Sequence, residues 1–272
     1  MSHKSFSLPF FAVIMLLVSA LGITPASAKG VKLGIVTTPG SNQYIAATKF
    51  IEEVDARLNQ GDNALAIKLH HSGSLGSETE ILQQIQLNAV QLGVITLGPF
   101  DSFVPQIKVV GFPFLFSSYE QVDSTLDGPL GREVLDSLED AGFKGLAFSE
   151  NGFRHLTNSI RPIHTVSDVA GLKIRVMESV LHKELWKTLG ANPTPMAWPI
   201  YSELQQGAID GQENPISVLS VYKLYEVQKY LSLTGHVYSA HIITANLDWF
   251  KGLAPETQRI LQDCAHKAAV YQ

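Results

Sequence analysis

Apolar and polar residues repeat with two different periods along this chain, and the period changes from one segment to the next. Residues 172–177 alternate between apolar and polar positions, which predicts a strand. Apolar residues then recur at the spacing of one helix face up to Gly190, namely Leu181, Leu185, Trp186 and Leu189. The stretch 171–215 therefore predicts strands and helices in alternation.

The first part of the chain follows the same alternation. Strands are predicted at residues 31–36, 64–70 and 91–97. A helix follows each of the first two, and Ser77 is expected to cap the helix over 78–88 because Glu80 lies at the capping-box position. This order predicts a mostly parallel α/β sheet with right-handed crossovers.

The rest of the chain predicts a second α/β unit. Further strands are expected at residues 143–149, 154–157, 172–176, 208–210, 229–233 and 236–244, and further helices at 119–126, 129–141, 200–206 and 215–225. Residues 151–154 are interpreted as a crossing between two lobes. The segment 103–116 is rich in aromatic and branched residues, and we expect it to be buried between strands rather than exposed as an apolar patch.

The chain begins with a segment that predicts export. Residues 1–28 combine a weakly basic start, an apolar run too short to span a bilayer and the small-residue cleavage signal Ala26-Ser27-Ala28. They are interpreted as a secretory signal peptide, with an uncleaved membrane anchor as the alternative. Because no later stretch is apolar enough to span a membrane, the mature chain is expected to lie in the periplasm and not to cross the membrane.

Length, charge and cysteine content narrow the class further. The 272 residues are enough for two α/β lobes. The formal charge of −5 becomes −6 without Lys4, and this acidic balance disfavours a nucleic acid or an anionic membrane as a partner. The single cysteine, Cys264, excludes an internal disulfide, and its helical spacing to Leu261 and Ala268 predicts a small buried residue.

Sequence motifs of familiar enzymes are absent. The chain contains no GxSxG, HExxH, CxxC, GxGxxG or phosphate-binding glycine loop. His70 and His71 form the only adjacent histidine pair, and strand neighbours point to opposite faces, which disfavours a zinc site. We therefore expect no cofactor and no metal, although carboxylates from distant positions can still assemble a catalytic site.

Three polar residues lie at positions that suggest chemistry. Arg175 lies inside an apolar strand, where it either forms a structural salt bridge or holds a ligand carboxylate with its planar guanidinium. Arg154 follows Gly152 at the predicted crossing and by itself indicates a surface arginine. Asn214 precedes Pro215, as a helix N-cap or a turn residue does, and also offers a donor and an acceptor to a ligand.

Four stretches resemble the solute-binding proteins of TRAP (tripartite ATP-independent periplasmic) transporters. They are GLKIRVME (171–178), LGANPTPMAW (189–198), LQQGAIDGQENP (204–215) and YEVQKYLSLTGHVYS (225–239). The resemblance runs through nearly the whole mature chain. It implies a two-lobed periplasmic binding protein of the type II-like α/β fold, with a hinge and a ligand cleft between the lobes.

The resemblance also implies roles for single residues. Arg175 matches the arginine that holds a ligand carboxylate, and Arg154 and Asn214 match further contacts to the ligand. Trp198 matches an aromatic residue near the ligand, although one residue fewer separates it here from the LQQG helix. Ligand-specific polar contacts come from the loops after the first two strands, which hold the remaining two candidates, Gln43 and Glu78. Each of these could equally be a helix-start residue.

The predicted division places residues 29–151 and 240–272 in lobe I and residues 152–239 in lobe II. The apolar spacing of the last helix continues to Gln272 without a C-cap, so we expect a further C-terminal segment to complete the protein. The predicted function is capture of a small organic acid, namely a dicarboxylate, a keto acid or a sugar acid such as a uronate. The resemblance implies delivery of that acid to TRAP membrane permease subunits.

Two other functions remain open from the sequence. A secreted lyase or hydrolase acting on carboxylated sugars would use the same arginines for its substrate. A ligand-sensing domain that docks on a receptor would share the fold and the pocket.

Overall fold

The computed structural model describes Met1, residues 30–58 and residues 65–272. Residues 2–28 of the predicted signal peptide therefore lie outside the described residues. The described strands are β1 Val31–Gly34, β2 Ile67–His70, β3 Leu92–Thr96, β4 Phe143–Asn158, β5 Lys173–Val176, β6 Asn192–Pro195, β7 Gly211–Asn214 and β8 Tyr230–Asn246. They form one sheet in the order β2-β1-β3-β8-β4-β7-β5-β6.

The described α-helices are α1 Asn42–Leu58, α2 Glu78–Gln86, α3 Tyr119–Leu126, α4 Pro129–Asp136, α5 Val180–Thr188, α6 Tyr201–Gln205, α7 Ile216–Val221, α8 Leu247–Lys251 and α9 Pro255–Tyr271. Short 3₁₀ helices lie at Gly98–Ser102, Pro105–Val109, Ser137–Ala141, Val166–Val169 and Leu224–Glu226. The capping box of α2 is confirmed, because Glu80 N–H donates to Ser77 Oγ and Ser77 N–H donates to the Glu80 carboxylate. No helix in the described part of the chain is both long and apolar enough to cross a bilayer.

The two ends of the sheet are parallel and its middle is antiparallel. Strand β1 runs parallel to β2 and β3, and β5 runs parallel to β6 and β7. Strands β4 and β8 join the ends, because β8 pairs with β3 while β4 pairs with β7, both antiparallel. The predicted α/β class is confirmed, and the parallel strand ends of both halves converge on the middle of the molecule.

The predicted crossing at 151–154 is not a break between strands, which corrects the sequence-based prediction. Strand β4 runs without interruption through 143–158, and β8 likewise joins the two strands predicted at 229–233 and 236–244. The pairing of β4 with β8 shifts register between Glu150 and Gly152 and again between Arg154 and Leu156. Such bulges bend a strand without ending it, which local sequence patterns do not reveal.

The strand predicted at 208–210 is also wrong. The strand is β7, Gly211–Asn214, and all of its residues are buried although three of them are polar. The apolar residue Ile209 favours a strand at residues 208–210 when the sequence is considered alone. The polar side chains of β7 can be buried because they are hydrogen-bonded: Arg154 donates to Glu213, Gln212 donates to Thr157, and Asn214 donates to Gln212 within the strand.

The segment 103–116 is buried only in part, so the prediction that it is buried between strands is wrong for its exposed side. Ile107 and Phe116 lie in the core, but Phe112 is 57% exposed and Phe114 is 71% exposed. A 3₁₀ helix from Pro105 and a positive φ of 57° at Phe114 turn the chain, so that one side of the segment faces water. The apolar composition of the segment did not indicate which of its side chains are buried and which are exposed.

The core on the β1 side of the sheet lies in two layers. Val94 and Ile243 face α1 and α9, whereas Ile95 and Ile242 face α2, because neighbouring strand residues point to opposite faces. Cys264 of α9 is fully buried in the first layer, which confirms its predicted role as a small core residue. These layers hold the strand ends that carry the site.

Candidate functional site

A cavity lies where the carboxyl ends of the parallel strands from both ends of the sheet meet. It contains about 580 Å³ of space between the protein atoms, including its open mouth. Thr37 follows β1, Thr96 ends β3, Met177 follows β5 and Asn214 ends β7. Open α/β sheets bind ligands beyond their carboxyl strand ends, so this cavity is the candidate site.

Arg175 of β5 is buried beside the cavity without a carboxylate partner. It is 4% exposed, and its Nε and Nη2 donate to the backbone oxygen of Met196, with Nε at 2.8 Å. Among the described residues no carboxylate lies within salt-bridge distance of it. Burial, with the nearby charge of Arg154, lowers the pKa of Arg175 to about 10, so that the guanidinium stays charged at neutral pH. The structural salt bridge considered from the sequence is therefore wrong.

Arg154 of β4 has the opposite environment. It is 1% exposed, so the surface-arginine interpretation is wrong. Its Nη2 donates to Glu213 Oε1 at 3.0 Å, and its Nε donates to the other oxygen of the same carboxylate. Nη1 makes no hydrogen bond to a described residue. The guanidinium is thus neutralised by Glu213 while one amino group remains free.

Glu213 is the centre of a buried charged cluster. His182 Nδ1 lies 3.3 Å from Oε1 and His236 Nε2 lies 3.2 Å from Oε2. Burial alone would raise the pKa of Glu213, but the charge of Arg154 and the hydrogen bonds of the histidines hold it well below its usual value. Burial lowers the pKa of His236. Sequence reasoning missed Glu213, because its partners are distant in the chain.

Asn214 is the last residue of β7 and is 6% exposed. Its Nδ2 donates to Gln212 Oε1 at 2.5 Å, and no other hydrogen bond from its side chain to a described residue is present. The N-cap of α7 is Pro215, so the interpretation of Asn214 as a helix N-cap is wrong. Its amide oxygen remains available on the cavity wall.

Glu78 and Gln43 begin helices and also line the cavity, so the two interpretations of these residues are compatible. Gln43 Nε2 donates to Glu78 Oε1 at 2.6 Å. Thr96 donates to the same oxygen from its backbone N–H at 2.7 Å and from Oγ1 at 2.8 Å. Burial raises the pKa of Glu78, while the hydrogen bonds from Thr96 and Gln43 and the charge of Arg175 oppose that rise.

Trp198 follows β6 and lines the cavity beside Arg175 and Tyr222. Its ring lies 4.6 Å from the ring of Tyr222 in an edge-to-face arrangement, and 5.6 Å from Cζ of Arg175. The indole Nε1 is buried and has no hydrogen-bond partner among the described residues. Trp198 thus packs against both Tyr222 and the guanidinium of Arg175.

The structure brings all of the predicted site residues around this one cavity: Arg175, Arg154, Asn214, Trp198, Glu78 and Gln43. That they bind a ligand stays a prediction. Sequence reasoning missed further lining residues, including Thr37, Thr96, Asn151, Tyr222 and His241. Position after a strand could have indicated Thr37 and Thr96, whereas the polar His241 inside the apolar strand β8 was overlooked.

Hydrogen bonds join the two sides of the cavity. Thr38 N–H donates to Tyr222 Oη at 3.0 Å, and Thr79 Oγ1 donates to Glu178 Oε2 at 3.1 Å. Asp101 accepts from Ser179 Oγ at 2.7 Å at the beginning of α5. The described conformation therefore has its two sides in contact around a cavity that the charged side chains of Arg154, Arg175 and Glu78 line.

Comparison with known proteins gives consistent matches. The family model described as "Bacterial extracellular solute-binding protein, family 7" matches residues 33–272. A solute-binding protein of Verminephrobacter eiseniae is 38% identical over 90% of this chain and 73% of its own length. The 2,3-diketo-L-gulonate-binding periplasmic protein YiaO of Escherichia coli is 35% identical over 96% of this chain and 79% of its own length.

Solved structures match over a similar extent. A TRAP periplasmic solute-binding protein from Polaromonas sp. JS666 bound to D-erythronate has a TM-score of 0.84 at 41% identity, covering 88% of this chain and 78% of that one. A sugar acid binding protein from Advenella mimigardefordensis in complex with galactonate has a TM-score of 0.83 at 32% identity, covering 89% and 77%.

Proposed function

Because this chain belongs to the bacterial extracellular solute-binding proteins of family 7, we propose that it captures a small organic acid and delivers it to a TRAP membrane permease. The resemblance to TRAP solute-binding proteins and the two-lobed α/β fold predicted from the sequence are confirmed. The family consists of substrate-binding transport proteins, and its similar members hold organic acids such as galactonate and galacturonate.

The observation that carries the proposal is the buried, unpaired charge of Arg175. A buried cation without a counter-ion is costly, and a bound anion removes that cost. Nη1 of Arg175 makes no hydrogen bond to a described residue, so the guanidinium can still donate to a carboxylate. The ligand carboxylate would thus complete an ion pair that the protein leaves open.

The side chains next to Arg175 support the proposed position of the ligand carboxylate. Arg154 and Asn214 line the cavity beside Arg175, and their side chains are held in place by Glu213 and Gln212, respectively. We propose that Arg175 supplies the main contact to the carboxylate and that Arg154 and Asn214 add further hydrogen bonds. Fixed donors lose little conformational entropy when the ligand binds.

Closure of the cleft would follow from contacts on both sides of the ligand. We propose lobe boundaries at residues 29–151 with 240–272, and 152–239, with the bulges of β4 near Gly152 as part of the hinge. A ligand that touches both lobes favours the closed state by its differential affinity. The Thr38–Tyr222 hydrogen bond would then belong to the closed form.

We further propose that the protein works in the periplasm and releases its acid unchanged. The predicted signal peptide and the periplasmic relatives support this location. A lyase or hydrolase would instead convert a carboxylated sugar during incubation, so recovery of intact ligand by mass spectrometry distinguishes the two functions.

The test of the proposal is ligand binding by Arg175→Ala. Isothermal titration with D-erythronate, galactonate, galacturonate and succinate is expected to show micromolar binding of at least one acid by the wild type. Loss of the charged contact is expected to weaken binding by about 30- to 3,000-fold. Arg259→Ala serves as the control, because Arg259 is an exposed arginine of α9 outside the cavity. Undiminished affinity of Arg175→Ala would contradict the proposal.

A further inference from the structure

The cavity that Arg175 lines also carries the carboxylate of Glu78. Glu78 begins α2 and is bound to the end of β3, whereas Arg175 lies on β5, and strands β8, β4 and β7 separate these two strands in the sheet. Glu78 and Arg175 do not form a salt bridge with each other in the described structure. The cavity is thus lined both by the cation of Arg175 and by the carboxylate of Glu78.

One oxygen of Glu78 is held by the protein and the other is open. Gln43 and Thr96 donate all three hydrogen bonds that the carboxylate accepts from described residues, and all of them go to Oε1. Oε2 has no partner among those residues, although the side chain lines the cavity. Donors that fix one oxygen in this way orient the second as an acceptor for a hydroxyl group.

The charges of the lining residues allow one ligand carboxylate. Arg154 is neutralised by Glu213, so Arg175 is the cation without a counter-ion, and Glu78 is the opposing anion. His241 adds no positive charge, because burial lowers its pKa to about 3. A second carboxylate on the ligand would therefore meet Glu78 with no cation to compensate it.

On the basis of the proposed function, we propose that the ligand is a hydroxylated monocarboxylic acid, an aldonate or a uronate. Its carboxylate binds Arg175, a hydroxyl group donates to Oε2 of Glu78, and Glu78 excludes dicarboxylic acids. The residue is thus the determinant that separates sugar acids from dicarboxylates in this protein.

Matched pairs of acids test this proposal. D-erythronate and meso-tartrate differ only in a terminal CH₂OH or carboxylate, as do D-galactonate and galactarate. In titrations of the wild type at neutral pH, the monocarboxylate of at least one pair is expected to bind about 10- to 100-fold more tightly than its dicarboxylate. Equal binding, or tighter binding of the dicarboxylate or of succinate, would overturn the proposal.

Two variants of Glu78 separate its charge from its hydrogen bond. Glu78→Gln removes the charge and is expected to reduce the preference within a pair by about tenfold, by weakening the monocarboxylate and admitting the dicarboxylate. Glu78→Asp keeps the charge but shortens the side chain, so it should weaken the monocarboxylate and still reject the dicarboxylate. Glu133→Gln removes an exposed carboxylate of α4 and is the matched control.

The outcomes also separate this proposal from the proposed function. If a dicarboxylate binds tightly and Arg175→Ala abolishes that binding, organic-acid capture stands and the assignment of Glu78 fails. If the preference within a pair is the same in Glu78→Gln and wild type, the assignment fails as well. If no acid binds to the wild type, both fail. The comparison of the paired acids on the wild-type protein tests the role of Glu78 even if a Glu78 variant does not fold.

Discussion

Arg154 and Arg175 lie beside the same cavity and are almost equally buried, yet the protein treats their charges differently. Arg154 is paired with the carboxylate of Glu213, which two histidines also contact. Among the residues that the structure describes, Arg175 donates hydrogen bonds to the carbonyl oxygen of Met196 alone. A compensated charge stabilises the fold, whereas an uncompensated one leaves binding energy for a ligand. The difference shows that burial of an arginine does not by itself identify a ligand contact.

The largest effect on stability is expected when the ion pair between Arg154 and Glu213 is broken. Glu213→Gln leaves Arg154 buried without a counter-ion, so the free energy of unfolding should fall by about 3–5 kcal/mol. Urea denaturation monitored by circular dichroism measures this change. A loss below about 1 kcal/mol would mean that Glu213 does not compensate Arg154 in solution.

The pH dependence of the stability difference between wild type and Glu213→Gln is a second test of the ion pair between Glu213 and Arg154. Because the pKa of Glu213 lies well below 4.5 in the folded protein, its contribution to stability is present above pH 4.5 and is lost as the pH falls through the folded pKa. The stability gap between wild type and Glu213→Gln should therefore be constant from about pH 7 to 5 and narrow below pH 4.5. Denaturation curves at a series of pH values measure it, and a gap that widens in acid would contradict the assignment.

The smallest effect is expected at Arg175 in the absence of ligand. Arg175→Met replaces an unpaired buried cation with an apolar side chain of similar length, so stability should change by less than about 1 kcal/mol or rise. The same variant should lose the thermal stabilisation that an organic acid gives the wild type. A large loss of stability without ligand would show that Arg175 is a structural residue like Arg154.

Much of the fold could be predicted because its signals are local. The capping box at Ser77, the helical spacing around Trp186 and the period-two pattern of 172–177 depend on residues a few positions apart. The continuity of β4 and β8 could not be predicted in this way. Their bends are bulges held by pairing between residues far apart in the sequence, such as Gly152 and Ser239.

The exposure of one side of segment 103–116 could not be predicted from local signals either. Composition indicated a buried segment, but Phe112 and Phe114 face water because the chain turns within it. Whether an apolar side chain is buried depends on what packs over it, and that is a property of the assembled fold.

The sequence by itself determined most of the order of strands and helices along the chain, because that order follows from local patterns. Its resemblance to a family pointed to six of the side chains that line the cavity. Only the tertiary structure decided the role of each polar group. It paired Arg154 with Glu213, left Arg175 without a carboxylate partner among the described residues and fixed one oxygen of Glu78 beside the same cavity. Charge compensation depends on distances between atoms that are remote in the chain, and the fold alone sets those distances.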